Sequence, residues 1–311
     1  MAITTTDAEL LDNTDAALAR PLPAAIHDAR ADVRALEGGM LAIPEPALGR
    51  EWPWIGGGEE EVRYAFYRVL ELFERAEIDA TRALKAAGRD GGLAAALIAP
   101  ADAARWDLHG LLAPLSAAEL DGDPGGGEWS IRRTLGHVVN GQRAYGWATA
   151  VWQAREVPAG DPSLAEPPTF PIYVGLPDEE GPEMAGSLRD VRARLDAILD
   201  LSAERLAGLP EERLAFGTRW SGFAVSIAFR LGRWSSHIRE HAIQVEKTLA
   251  MLDRPPTEPE RLVRLVLAAY GRAEAVVFGQ PGAEAAAGIV RAAATEARGI
   301  VADAGRAAAR A

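Results

Sequence analysis

The chain has 311 residues, 48% hydrophobic and 25% charged, with a formal net charge of −12 and a pI near 5.0. That length suits one large domain or two modest ones with a sizeable core, and the acidic balance argues against nucleic acid, whose binding needs a basic face that releases counterions. With no cysteine, disulfides, thiolate zinc sites, iron–sulfur clusters and cysteine nucleophiles are excluded, and any thiol chemistry needs a thiol from outside.

The N-terminal stretch MAITTTDAELLDNTDAALAR lacks a basic region and an apolar core, so it does not read as a secretory signal. No apolar run reaches the length of a membrane span. A cytoplasmic protein with no membrane or nucleic-acid partner is expected. Residues 6–37 predict one or two short helices around Pro21 and Pro23, and residues 38–58 a loop rich in Gly and Pro. Trp52 and Trp54 in that loop are candidates to line a pocket or an interface. Residues 59–87 predict an amphipathic helix with glutamates in its first turn and a stripe of Val62, Phe66, Val69, Leu70, Phe73 and Ile78.

A helix over 93–113 follows, which Pro100 is expected to kink or divide. After a turn at 121–128, Ser130 is a candidate N-cap for a helix running to Arg155, with Trp129 as its staple. Residues 157–186 form a long Pro-rich loop, of a length that is often functional. Helices are then predicted over 187–207, 223–252 and 258–279, and an Ala-rich helical tail over 282–311. The helices at 93–113, 130–155, 187–207 and 223–252 suffice for a four-helix bundle, and the loop at 157–186 is long enough to cross it.

Of five histidines, three carry chemical information. His237 and His241 stand four residues apart, one turn along a single helix face. Both fall in the stripe Ile227, Leu231, Trp234, His237, His241, Val245, Thr248 and Leu252, which faces inward. His137 occupies the inward rhythm Thr134, His137, Gly141, Tyr145, Ala148 and Trp152 of the earlier helix, and Gly141 leaves room one turn later. Burying unpartnered imidazoles costs a few kcal/mol each, and a shared metal relieves that cost. Three neutral nitrogens without thiolate suit Zn²⁺, Ni²⁺ or Fe²⁺, with an open fourth position of the catalytic kind. The alternative is that these are packed or surface histidines with ordinary hydrogen bonds. The string His237-Ile-Arg-Glu240-His241 also matches H-x-x-E-H, the inverted zinc-protease signature, but without the α/β pattern that signature needs.

The surroundings of these histidines carry a more specific signal. In LSAAELDGDPGGGEWSIRRTLGHVVNGQ, Trp129-Ser130 opens the helix that presents His137. After a long gap, SIAFRLGRWSSHIREHAIQVEKTLAML carries His237 and His241. Over residues 93–252 the chain resembles the DinB-like superfamily of metal-binding four-helix bundles, among them mycothiol-dependent maleylpyruvate isomerases and bacillithiol S-transferases. The resemblance implies an all-α fold: a DinB-like bundle at 93–252 with additional helices in an N-terminal extension, 1–92, and a C-terminal extension, 253–311. It implies a divalent metal on His137, His237 and His241, and a low-molecular-weight thiol such as mycothiol or bacillithiol as cosubstrate. The expected activity is metal-dependent thiol S-transfer, or thiol-dependent isomerisation, of a small electrophile. A non-catalytic metal- or ligand-binding stress-response protein and a metal-dependent hydrolase are the alternatives, and a homodimer is an open expectation.

Other candidates surround the three histidines. Arg233, one turn before His237, is placed to clamp a carboxylate. Asn140 and Gln244 are placed to orient imidazoles. His109 reads as a packed histidine, His27 as a surface one, and the tryptophans as packing anchors. No residue stands out as a catalytic acid, base or nucleophile.

Overall fold

The computed structural model describes residues 7, 9, 11–53, 58–168 and 172–310. Trp54 lies outside them. The fold is all-α: helices α1 (Ala24–Leu41), α2 (Val62–Ala86), α3 (Gly92–Leu112), α4 (Ala117–Asp121), α5 (Ile131–Gln153), α6 (Leu188–Leu206), α7 (Glu211–Leu214), α8 (Ile227–Met251), α9 (Glu258–Ala275) and α10 (Glu284–Ala308). Two small antiparallel hairpins accompany them, β1 (Glu51–Pro53) with β2 (Glu59–Glu61), and β3 (Gly217–Trp220) with β4 (Phe223–Ser226). The β3–β4 hairpin takes the residues expected to begin the last bundle helix, so α8 starts at Ile227.

Local chemistry sets the helix ends. Ser130 accepts a hydrogen bond from the Arg133 amide and caps α5, and Ser226 does the same for α8 from Phe229. Ser187 and Asp190 form a reciprocal capping box at α6. Helix α3 runs through Pro100 undivided. On α2 the buried face is Val62, Phe66, Val69, Phe73, Ala76 and Ala80. Ile78, counted in that stripe from the sequence, is exposed, because two residues past Ala76 a helix has turned about 200°.

The buried side chains fall into two cores. One joins α3, α5, α6 and α8 through residues such as Ile98, Leu108, Leu135, Val138, Leu195, Leu199, Leu231 and Ile238. The other joins α1 and α2 to α9 and α10, so segments from the two ends of the chain share one core. In the first bundle α5 lies antiparallel to α8 and parallel to α6. The loop between α5 and α6 therefore runs back along α5. Arg132 donates to the carbonyls of Met184 (2.9 Å) and Gly186 (2.7 Å), Asn140 Nδ2 donates to the Pro177 carbonyl (2.7 Å), and buried Arg143 pairs with Glu183 (2.6 Å) and Asp7.

The two cores meet along α3. Trp106 leaves the bundle and packs edge-on against Tyr270 of α9, with ring centroids 4.6 Å apart. Around it lies a buried charged network. Arg105 pairs with Asp102, Asp200 (2.8 Å) and Glu274 (2.9 Å), and Arg30 with Asp200 (2.5 Å) and Glu274 (2.6 Å). His109 is fully buried there: its Nε2 lies 2.7 Å from Asp196 Oδ1, and its Nδ1 accepts from Arg192 Nε at 3.1 Å. Accepting that bond requires a lone pair on Nδ1, so the ring is neutral and its one proton faces Asp196. Burial pushes the His109 pKa down to about 4, against the pull of Asp196.

Candidate metal centre

Helices α5 and α8 bring His137, His237 and His241 together, with one ligand nitrogen from each within 4.8 Å of the others. His237 Nε2 lies 3.4 Å from His137 Nε2 and 3.1 Å from His241 Nε2. Two nitrogens on one tetrahedral zinc-like ion, each at about 2.0–2.1 Å, stand roughly 3.3 Å apart. The spacing therefore matches a shared ion.

The outer ring nitrogens explain why the inner ones are available as ligands. His137 Nδ1 lies 2.9 Å from Glu179 Oε2, and His241 Nδ1 lies 2.7 Å from Gln244 Oε1. A carboxylate and an amide oxygen only accept, so each Nδ1 carries the proton and each Nε2 keeps its lone pair. Two lone pairs then converge on His237 Nε2. At most one proton can lie between them, and a cation satisfies all three.

Burial favours the same state. His237 is 4% exposed, and burial with the neighbouring imidazoles pushes its pKa down to about 2. Burial also lowers that of His241. The His137 side chain is 31% exposed, which leaves one side of the cluster open to solvent.

The backbone makes room for this arrangement at two glycines. A Cβ on Gly141 would lie 2.5 Å from His237 Cε1, and one on Gly136 would lie 2.5 Å from the Glu179 carbonyl. The first lets α8 seat its imidazole against α5. The second lets the loop lie close enough to bring Glu179 onto His137. Tyr145 and Trp129 complete the walls, packing edge-on to His237 (5.2 Å) and His137 (5.3 Å).

The remaining candidates fall in different places. Gln244 sits at His241, whereas Asn140 ties down the loop at Pro177 instead of an imidazole. The Gln142 amide, which the sequence did not single out, reaches His237 Nδ1 at 3.3 Å. Arg233 is engaged by Glu240 through two bonds of 2.6 and 2.5 Å, and by Ser236. Those bonds hold the Glu240 carboxyl below its usual range. This carboxylate is bound to an arginine, not free to act as the base of an H-x-x-E-H protease. His109 is packed between the two cores, and His27 is exposed. Trp52, Trp106, Trp147, Trp152 and Trp234 are buried anchors. Glu179 was missed from sequence. Its signal is faint: an acidic run, Asp178-Glu179-Glu180, in a loop long enough to pass the histidines.

A cavity of about 550 Å³ lies elsewhere, between α3, α8, α9 and the turn at Arg254–Pro256, and no histidine lines it.

Residues 101–245 match the model of the DinB superfamily, and this part of the chain belongs to that superfamily. The match holds all three histidines and lies on the α3–α5–α6–α8 bundle, leaving the core formed by α1, α2, α9 and α10 outside it. No curated protein and no solved structure matches the chain.

Proposed function

We propose that the bundle holds one divalent transition-metal ion on His137, His237 and His241, and that the protein is a metal-dependent thiol S-transferase or thiol-dependent isomerase acting on a small electrophile. The observation that carries the metal reading is the set of three converging Nε2 atoms, two of them backed by acceptors at Nδ1. Superfamily membership supports it. A bound ion would supply Lewis acidity and stabilise a thiolate at neutral pH. The chain's own residues hold His137 and His241 deprotonated at Nε2 and orient them through Glu179 and Gln244, and they leave the solvent side open for a thiol. The absence of cysteine fits a thiol drawn from a small molecule such as mycothiol or bacillithiol.

Elemental analysis tests the metal first. Wild-type protein should carry about one zinc, nickel or iron ion per chain, and His237→Ala should carry none. Wild-type metal content in the variant would refute the assignment. Metal-loaded protein is then offered mycothiol or bacillithiol with small electrophiles. Saturable thiol consumption or isomerisation is expected. Hydrolysis of the electrophile without thiol would replace this reading with a metal-dependent hydrolase.

A further inference from the structure

Three arginines are buried among the described residues: Arg105, Arg143 and Arg230. Arg105 meets Asp102, Asp200 and Glu274, and Arg143 meets Asp7 and Glu183. Arg230, 3% exposed, meets no carboxylate among the described residues. Its one hydrogen bond runs from Nη2 to the Tyr173 hydroxyl at 3.3 Å, and its Nε is buried with no partner. A guanidinium keeps its charge at any physiological pH, so it cannot shed this burden by losing a proton. A desolvated cation without a counter-ion is costly.

Its position ties it to the histidine cluster. Arg230 precedes His237 by seven residues on α8, two turns along nearly the same face and about 10 Å along the axis. Its guanidinium carbon lies 5.3 Å from the centroid of the Tyr145 ring, and the same ring packs edge-on to His237 at 5.2 Å. Tyr145 thus touches both the guanidinium and the histidine cluster. Arg233, the other arginine beside this site, is already neutralised by Glu240.

From this geometry we propose that Arg230 is the anion-binding residue of the site: it receives a carboxylate or phosphate of a small molecule whose other end reaches the three histidines. This rests on the metal reading only for what lies at that other end. The fork of N–H donors suits either oxyanion. The ligand is a small anionic molecule long enough to span the two helical turns between Arg230 and the three histidines.

Calorimetric titration of metal-loaded protein with acetate, and separately with inorganic phosphate, at constant ionic strength tests this. At least one anion should bind the wild type, and its affinity should fall tenfold or more in Arg230→Met, with metal content unchanged. The anion that binds more tightly identifies the class. Arg230→Met should also unfold at a higher temperature than the wild type, because an apolar side chain replaces an unpaired charge. Equal affinity in both proteins, or no binding of either anion to the wild type, would overturn the proposal. Should the variant not fold, phenylglyoxal labelling of the wild type followed by peptide mass spectrometry takes its place. Protection of Arg230 by the anion is then expected, and equal labelling with and without it is the contrary result. The same titration on chelator-stripped wild type separates the two readings. Binding that survives stripping and is lost in Arg230→Met stands even if the metal assignment falls. Binding lost on stripping but kept in Arg230→Met places the anion on the metal and refutes the role of Arg230.

Discussion

At the scale of single residues, the histidine cluster depends on groups that lie behind the converging nitrogens. Glu179 fixes the His137 tautomer from a loop, and Gln244 fixes that of His241 from the same helix. Partners of this kind typically change metal affinity by 10–100-fold. Glu179→Gln retains the shape but is a weaker acceptor, so metal affinity should fall roughly tenfold, read by competition with a chromophoric chelator. An unchanged affinity would make the contact incidental. The inward-facing histidines and the open space at Gly141 were legible in the sequence, because helical spacing alone says which side chains share a face. Arg230 was not. One step from Leu231 in the same helix, it reads as one more surface arginine, and its burial without a carboxylate among the described residues sets it apart.

At the scale of elements, the loop between α5 and α6 is part of the site and not a mere connection. It presents Glu179 to His137 and is anchored by the buried Arg143–Glu183 pair, each partner 1% exposed. Removing one partner of such a pair typically costs about 3–5 kcal/mol, because the other is left buried and unpaired. Arg143→Met should therefore lower unfolding stability by about that amount, measured by urea denaturation, and should weaken metal binding through Glu179. Stability within 1 kcal/mol of wild type would show that the loop is held by other contacts. The bundle helices were legible from periodicity and from the caps at Ser130 and Ser187. The hairpins were not, since strands of three or four residues are too short to show alternation. The loop's path was legible only as a length, because a segment without periodicity carries no address for its contacts.

At the scale of the whole molecule, two cores share α3, and the network around Arg105 and His109 lies between them. Periodicity showed that α1, α2, α9 and α10 each have an apolar face, but not which faces pair across the length of the chain. The network also makes a pH prediction. His109 has a folded pKa of about 4, below the ordinary value near 6.5, so the unfolded chain takes up the proton first. Stability from this residue is fully present above pH 6.5 and is lost as pH falls toward 4. His109→Gln can still donate to Asp196 and accept from Arg192, yet does not titrate. Its denaturation midpoint should fall less than that of the wild type between pH 7 and pH 4.5; parallel losses would assign the acid sensitivity elsewhere. The shared core of the chain ends has a further consequence, in time instead of space. A ribosome working at roughly 5–20 residues per second releases α1 and α2 on the order of ten seconds or more before α9 and α10 exist. Through that interval the apolar faces of the first two helices have no final partner, while the histidine-bearing bundle, contiguous in sequence, can already close. The bundle is thus the first part able to form during synthesis, and its α3 offers the early helices a surface to wait on.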